Sequence, residues 1–197
     1  MVKVGFITEG HTEKIIIKSD AFQEFLTQNG LLFTHEVIVA EGNNNLTESK
    51  AASNVAILRD KGVEIIFILR DVDDALCVVD ARNKVMQASD IQPCVAVKAM
   101  EAWFLADTKA MRSIIEKSDF HEEFPETIDN PFERINILSR EFRNQKRRGN
   151  QERGVSDKKI LARNMLRCHF SIENAANHPN CPSAKYFIEK LKSVSQK

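Results

Sequence analysis

A parallel α/β fold is what this 197-residue sequence predicts: about four strands flanked by helices, followed by a helical C-terminal extension. Three observations lead there. Up to residue 98, apolar runs rich in β-branched residues alternate with segments of helical period, in the order β-α-β-α-β-α-β. One run, "VEIIFIL" at 63–69, is apolar on both faces, as a strand covered by helices on both sides must be. After residue 98 the pattern offers helices and no convincing strand.

Val2–Thr8 reads as the first strand, with Val2, Val4 and Phe6 on one face and Ile7 making the other face apolar. Residues 12–28 read as one helix with Ile15, Phe22, Phe25 and Leu26 on its buried side, stopped by Asn29-Gly30. Residues 33–40 form the second strand, "EGNNN" a loop, and 46–61 a helix closed by Gly62. The third strand, 63–69, is followed by a helix over 76–88 and a fourth strand, "CVAV" at 94–97. In the common 2-1-3-4 strand order with right-handed crossovers, strands one and three are neighbours. "KAMEAWFLAD" then starts a helix, and further helices fit 108–116, 131–142, 156–166 and 183–194. "NQKRRGNQERG", 144–154, is polar, basic and glycine-broken, hence a loop. The division expected is an α/β core over 1–107 with a basic helical extension over 108–197 packed on it.

Composition excludes several classes. Hydrophobic residues make up 43% and charged residues 28%, as in a globular protein rather than a disordered one. No apolar run is long enough to cross a bilayer, and the N-terminus lacks a secretory pattern. Cys77, Cys94, Cys168 and Cys181 form no CxxC pair and read as reduced thiols of a cytoplasmic protein. The formal net charge is zero, yet residues 131–197 carry 15 Lys+Arg against 6 Asp+Glu. The front part, 1–130, is correspondingly acidic, with 13 against 22.

Acids collect where strands one and three end. Glu9 and Glu13 flank "GHT" after the first strand, and Asp71, Asp73 and Asp74 follow the third. Function in open parallel sheets gathers outside the carboxyl ends of the strands. An acid after a strand also serves as a helix cap or dipole partner, and either "EG" or "DVDD" alone reads that way. The joint pattern is more specific. Four crowded carboxylates, Glu9, Glu13, Asp71 and Asp73, repel one another unless a cation joins them. All-oxygen donors suit Mg²⁺ or Mn²⁺, and two such ions about 3.5–4 Å apart stabilise both reacting oxygens of a phosphoryl transfer.

"TEGHTE" with "RDVDD" resembles the Toprim domain of topoisomerases, primases and overcoming-lysogenization-defect nucleases. The second glutamate four residues on is closest to the nuclease branch. "VKAMEAWFLAD", 97–107, resembles a family of small Toprim-like bacterial proteins linked with phage defence. The resemblance covers residues 2–107 and implies a Toprim/Rossmann-like sheet. It implies Glu9 as metal ligand and general acid/base, Glu13, Asp71 and Asp73 as metal ligands, and Lys98 beside the scissile phosphate. It also implies a companion ATPase as partner. Tyr186, the single tyrosine, lies in the C-terminal helix and does not suit topoisomerase chemistry.

Glu101 falls in the first turns of the helix that starts near Lys98, where it faces the crevice or serves that helix terminus beside the core anchors Trp103 and Phe104. Arg143, Lys146, Arg147, Arg148 and Arg153, continued by Lys158, Lys159, Arg163 and Arg167, form a basic stretch suited to a phosphate backbone or to plain solvation. His11 sits between the two glutamates and reads as a surface loop residue. The function expected is Mg²⁺- or Mn²⁺-dependent phosphodiester hydrolysis on nucleic acid, as a defence-system effector. Two rivals stand beside it. "FILRDVDDAL" also resembles the haloacid-dehalogenase phosphatase motif, with Asp71 as nucleophile and Asp73 as acid/base. The other is a non-enzymatic module that binds nucleic acid or protein through its basic surface.

Overall fold

Alternation along the first strand decides the architecture. In the computed structural model, which describes residues 1–72, 75, 77–146 and 157–195, β1 (Val2–Thr8) is buried from Val4 to Thr8 and lies inside the sheet. Its neighbours are β2 (Leu31–Val39) and β3 (Ile65–Asp71), and β4 (Ile91–Ala96) closes the order β2-β1-β3-β4. Every pairing is parallel, and Thr8 at the end of β1 stands level with Val39 and Leu69. The expected fold class and strand order are both found.

The two faces divide by residue parity. Val4, Phe6, Phe67 and Leu69 enter one core with Phe22, Trp103, Phe104 and Phe187. Ile7, Ile66 and Ile68 enter the other with Val55, Leu58 and Val85. The second face is covered chiefly by α3 (Glu48–Asp60), which packs closely because Gly5 has no Cβ: one there would stand 3.3 Å from Leu58 of α3 and 3.0 Å from Val63 beyond it. The first face carries α1 (His11–Ile17), α2 (Asp20–Gln28) and the later helices.

The single helix expected over 12–28 is two. Ser19 breaks it: its hydroxyl donates to Ile16 O at 2.6 Å and accepts from Phe22 N at 3.3 Å, which ends α1 and caps α2. The helix expected over 76–88 is shorter, α4 (Val78–Asn83), because Val85 turns into the core and Met86 N donates to Leu46 O. β4 starts earlier than 94, since Ile91, Gln92 and Pro93 pair with Ile66, Phe67 and Ile68. Pro93 is tolerated there because β4 is an edge strand.

After β4 come α5 (Met100–Ala106), α6 (Thr108–Ile114), α7 (Pro131–Lys146), α8 (Lys158–Arg167), α9 (Ile172–Ala176) and α10 (Pro182–Val194). α7 runs past the expected 142, and the short α9, capped by the Ser171 hydroxyl, had no clear periodic signal. Every residue of α5 is buried. Trp103 lies 5.6 Å from Phe187 of α10, and Phe187 meets Phe67 edge-on at 6.3 Å, so the C-terminal helices share the core of the sheet. No helix among the described residues is long and apolar enough to cross a membrane.

One buried polar knot fastens α10 to α5. The Ser183 hydroxyl accepts the Trp103 indole N–H at 2.7 Å and the Val97 N–H at 3.3 Å, and donates to Glu126 at 2.5 Å. Ser183→Ala would leave the indole N–H and the Val97 N–H without their acceptor, while Glu126 keeps the Ser183 backbone N–H at 2.9 Å. It should cost about 2–4 kcal/mol, since each orphaned buried group costs about 1–3 kcal/mol. Urea unfolding at unchanged m-value checks this, and a loss below about 1 kcal/mol would show that the knot is not a stabilising element.

Candidate functional site

The ends of β1 and β3 are held together by their own acids. Glu9 follows β1, and its N–H donates to Leu69 O at 3.0 Å, continuing the ladder by one residue. Its carboxylate then accepts the Asp71 N–H at 3.1 Å. Asp71 ends β3, and its carboxylate accepts the Met100 N–H at 3.2 Å, one of the free donors at the start of α5. Glu13, on the first turn of α1, folds back to accept the Gly10 N–H at 3.2 Å. A Cβ at position 10 would stand 3.1 Å from that Glu13 oxygen, so glycine keeps the carboxylate's place open.

Glu101 enters from α5 and is 1% exposed. One of its oxygens lies 3.3 Å from the Lys158 ammonium, and the other, Oε1, is buried with no hydrogen-bond partner among the described residues. Lys158 opens α8, whose N-cap is Asp157 and whose Leu161, Ala162 and Met165 are buried. Together these residues line a cleft of about 590 Å³, with His11, Glu41, Asp157 and Lys159 toward its mouth.

The charges in this cleft do not balance. Withdrawal from water pushes Glu13 up to about 7; Glu101 adds to the rise, while Lys158 and the backbone N–H groups oppose it. Asp71 is held well above the usual carboxylate range by the same withdrawal and by Glu13, Glu101 and Glu9, with Lys158 opposing. For Lys158, desolvation favours the neutral amine, but Glu101, Asp71 and Glu13 outweigh it and keep the ammonium form. Among the described residues, Lys158 is the cation that opposes the charge of Glu13, Asp71 and Glu101.

The structure brings together Glu9, Glu13, Asp71 and Glu101, and sets Lys159 at the mouth. Lys98 is turned elsewhere. Its backbone has φ 64°, and its ammonium pairs with Asp129 at 2.7 Å. Lys158 supplies the cation in the cleft instead. Asp73, Arg147, Arg148 and Arg153 lie outside the described residues; Arg143 and Lys146 fall in the last turns of α7, and their side chains lie outside the description as well. Among the described residues, no three His, Cys, Asp or Glu side chains stand close enough to hold a metal ion by themselves. The pairing of Lys158 with Glu101 had no local signal, because it joins residues 57 apart in the chain.

Comparison with protein families gives one further observation. A family described as a domain of unknown function, DUF4276, matches residues 8–192. The chain belongs to the DUF4276 family. No curated protein and no solved structure matches it. The DUF4276 match spans every cleft residue, from Glu9 to Lys159, and the helices that carry them.

The raised Glu13 has a thermodynamic consequence for this DUF4276 protein. Between about 4.5, its ordinary value, and about 7, the folded protein binds more protons at Glu13 than the unfolded chain does. Stability therefore falls as pH rises through that window, and Asp71 acts in the same sense. The Glu13 contribution is at most about 3 kcal/mol, a Tm lower by roughly 6–12 °C at pH 8 than at pH 5 in a chain this size. Calorimetry in EDTA should show that decline and should find it flattened in Glu13→Gln. A wild-type profile flat across the window would mean that Glu13 is ionised without penalty.

Proposed function

We propose that this protein is a divalent-metal-dependent phosphodiesterase acting on nucleic acid. The observation that carries the reading is the crowding of acids in the cleft: Glu9, Glu13, Asp71 and Glu101 line it at the ends of adjacent parallel strands, and among the described residues Lys158 is the ammonium paired with one of them. Folding alone does not call for that arrangement, since it forces two carboxyls far from their ordinary ionisation.

The donor set fits Mg²⁺ or Mn²⁺. All the acids are hard oxygen donors, and Glu101 Oε1 is a buried carboxylate oxygen still lacking a partner among the described residues. Among the described residues no three of these acids gather around one point, so on this reading Glu9, Glu13, Asp71 and Glu101 would hold the ion no more than two at a time, with water and Asp73, the latter added by the resemblance to Toprim domains, as further ligands. When bound, such an ion neutralises phosphate charge and activates water.

The chain's own groups take the remaining roles. Lys158, fixed by Glu101, presents positive charge where negative charge develops on the phosphate. Glu13, pushed up to about 7 in the protein without an ion, would give up its proton as the cation binds. Glu9 braces Asp71 through the Asp71 N–H. The phosphatase alternative gives no role to Glu9 or Glu13, yet both line the same cleft as Asp71. The reading requires nucleic acid as partner and a cytoplasmic setting; a companion ATPase and a place in phage defence rest on the resemblance alone.

Mn²⁺ titration calorimetry and oligonucleotide cleavage test the proposal together. Glu9→Gln and Asp71→Asn should each abolish cleavage and weaken Mn²⁺ binding. Lys158→Ala should lower kcat by about 10²–10³ while Mn²⁺ binding is kept or tightened, because a competing cation is gone. Phosphomonoester turnover that survives Glu9→Gln but not Asp71→Asn would replace this mechanism with an aspartyl-phosphate one.

A further inference from the structure

The outer face of α8 carries a row of cations that the cleft chemistry does not use. Lys159, Arg163 and Arg167 are four residues apart and exposed, on the side of the helix opposite the buried Leu161, Ala162 and Met165. The ion pair that α8 makes among the described residues belongs to Lys158. Each step of four residues advances about 6 Å along the axis, close to the separation of successive phosphates along one nucleic-acid strand. The row begins at the cleft, because Lys159 lines its mouth while Lys158, one residue earlier, points inward to Glu101. Ile160, 44% exposed on the same outer face, offers an apolar contact to a base.

We infer that α8 is a track for one single strand of nucleic acid, with Lys159, Arg163 and Arg167 each meeting one phosphate and the strand running into the cleft at Lys158. This deepens the nuclease reading and rests on it for the fate of the strand, but not for its binding. A single strand fits better than a duplex for two reasons. Among the described residues the row is one cation wide, so it follows one backbone. The acids that would act on the phosphate are withdrawn, Glu13 to 4% and Glu101 to 1% exposure, in a cleft of nucleotide size. A lone flexible strand can lower a phosphate into that space, whereas a paired strand is held out by its partner.

The protein of residues 1–197 is used, in EDTA, so that binding is measured without turnover. Fluorescence anisotropy follows fluorescent single-stranded DNA, single-stranded RNA and duplex DNA of equal length across a salt series. The triple variant Lys159→Ala, Arg163→Ala, Arg167→Ala should bind the preferred single strand about tenfold more weakly at low salt. Its log–log salt slope should be shallower by about 2, from three lost phosphate contacts at about 0.7 each. A control removing equal charge from other exposed surfaces, Lys50→Ala, Lys109→Ala, Lys185→Ala, should keep the wild-type slope. Preference for DNA or for RNA identifies the strand, and either supports the track. An unchanged slope in the α8 variant, equal loss in the control, tighter binding of duplex, or no binding by wild type overturns it. Catalytic failure in Mn²⁺ with strand binding intact would count against the nuclease reading and leave the track standing.

Discussion

The hydrogen bond from the Asp71 N–H to the Glu9 carboxylate, 3.1 Å long, is the contact on which the rest of the site depends. It exists because β1 and β3 are parallel neighbours in register, so that both strands release their chains at the same end of the sheet. Glu9 extends the ladder by one backbone bond to Leu69 and then turns its side chain across to β3. Asp71 in turn receives the first free N–H of α5. Two acids are thus fixed by backbone donors rather than by cations. Backbone donors steady a carboxylate but leave its formal charge in place, and the burden passes to neighbours: Glu13 and Glu101 are added to the same space at 4% and 1% exposure.

What holds that arrangement in place lies far along the chain. α8 packs against α1, which carries Glu13, and its first residue brings the Lys158 ammonium to Glu101. α5, which carries Glu101, is buried on all sides and tied to α10 through Trp103, Phe187 and Ser183. The C-terminal helices therefore complete the site as well as the core. A chain ending after α5 would keep the carboxylates and lose the lysine that opposes their repulsion.

Those two origins explain what was legible in the sequence. The sheet could be read because strand alternation is a local signal: Phe6 and Ile7 face opposite ways, and "IIFIL" is apolar on both sides. Glu9, Glu13 and Asp71 could be read because strand ends are local too, and parallel order brings them together. Glu101 was ambiguous between a helix-terminus role and the cleft, and its burial beside Lys158 places it in the cleft. Lys98 misled because position after a strand says nothing of direction: a φ of 64° and an exposed Asp129 send its ammonium outward. Ser19 misled for the opposite reason. The apolar period runs through it unbroken, and only its hydroxyl, competing for backbone partners, splits the helix. The Lys158–Glu101 pair spans 57 residues and is a product of tertiary packing, which no pattern in one segment encodes.

The acidic front and basic back of the chain then cease to be a paradox of composition. Charge acts over different ranges inside and outside the cleft. Exposed cations such as Lys159, Arg163 and Arg167 work through solvent, where attraction for a polyanion persists for about 10 Å at moderate salt. The buried acids act over a few ångströms and in poor solvent, where loss of water first, and the repulsion of neighbouring acids after it, shift ionisation. On the proposed function, a phosphate strand approaching from outside would meet the attraction first and reach the carboxylates only where protons at low pH or a cation at neutral pH neutralise them. Protons and cations would then compete for the same oxygens, with Glu13, pushed up to about 7, setting the changeover. On the proposed function, formal neutrality of the whole chain would conceal a division of labour in which the basic helices gather the substrate and the acidic strand ends wait for a counter-ion.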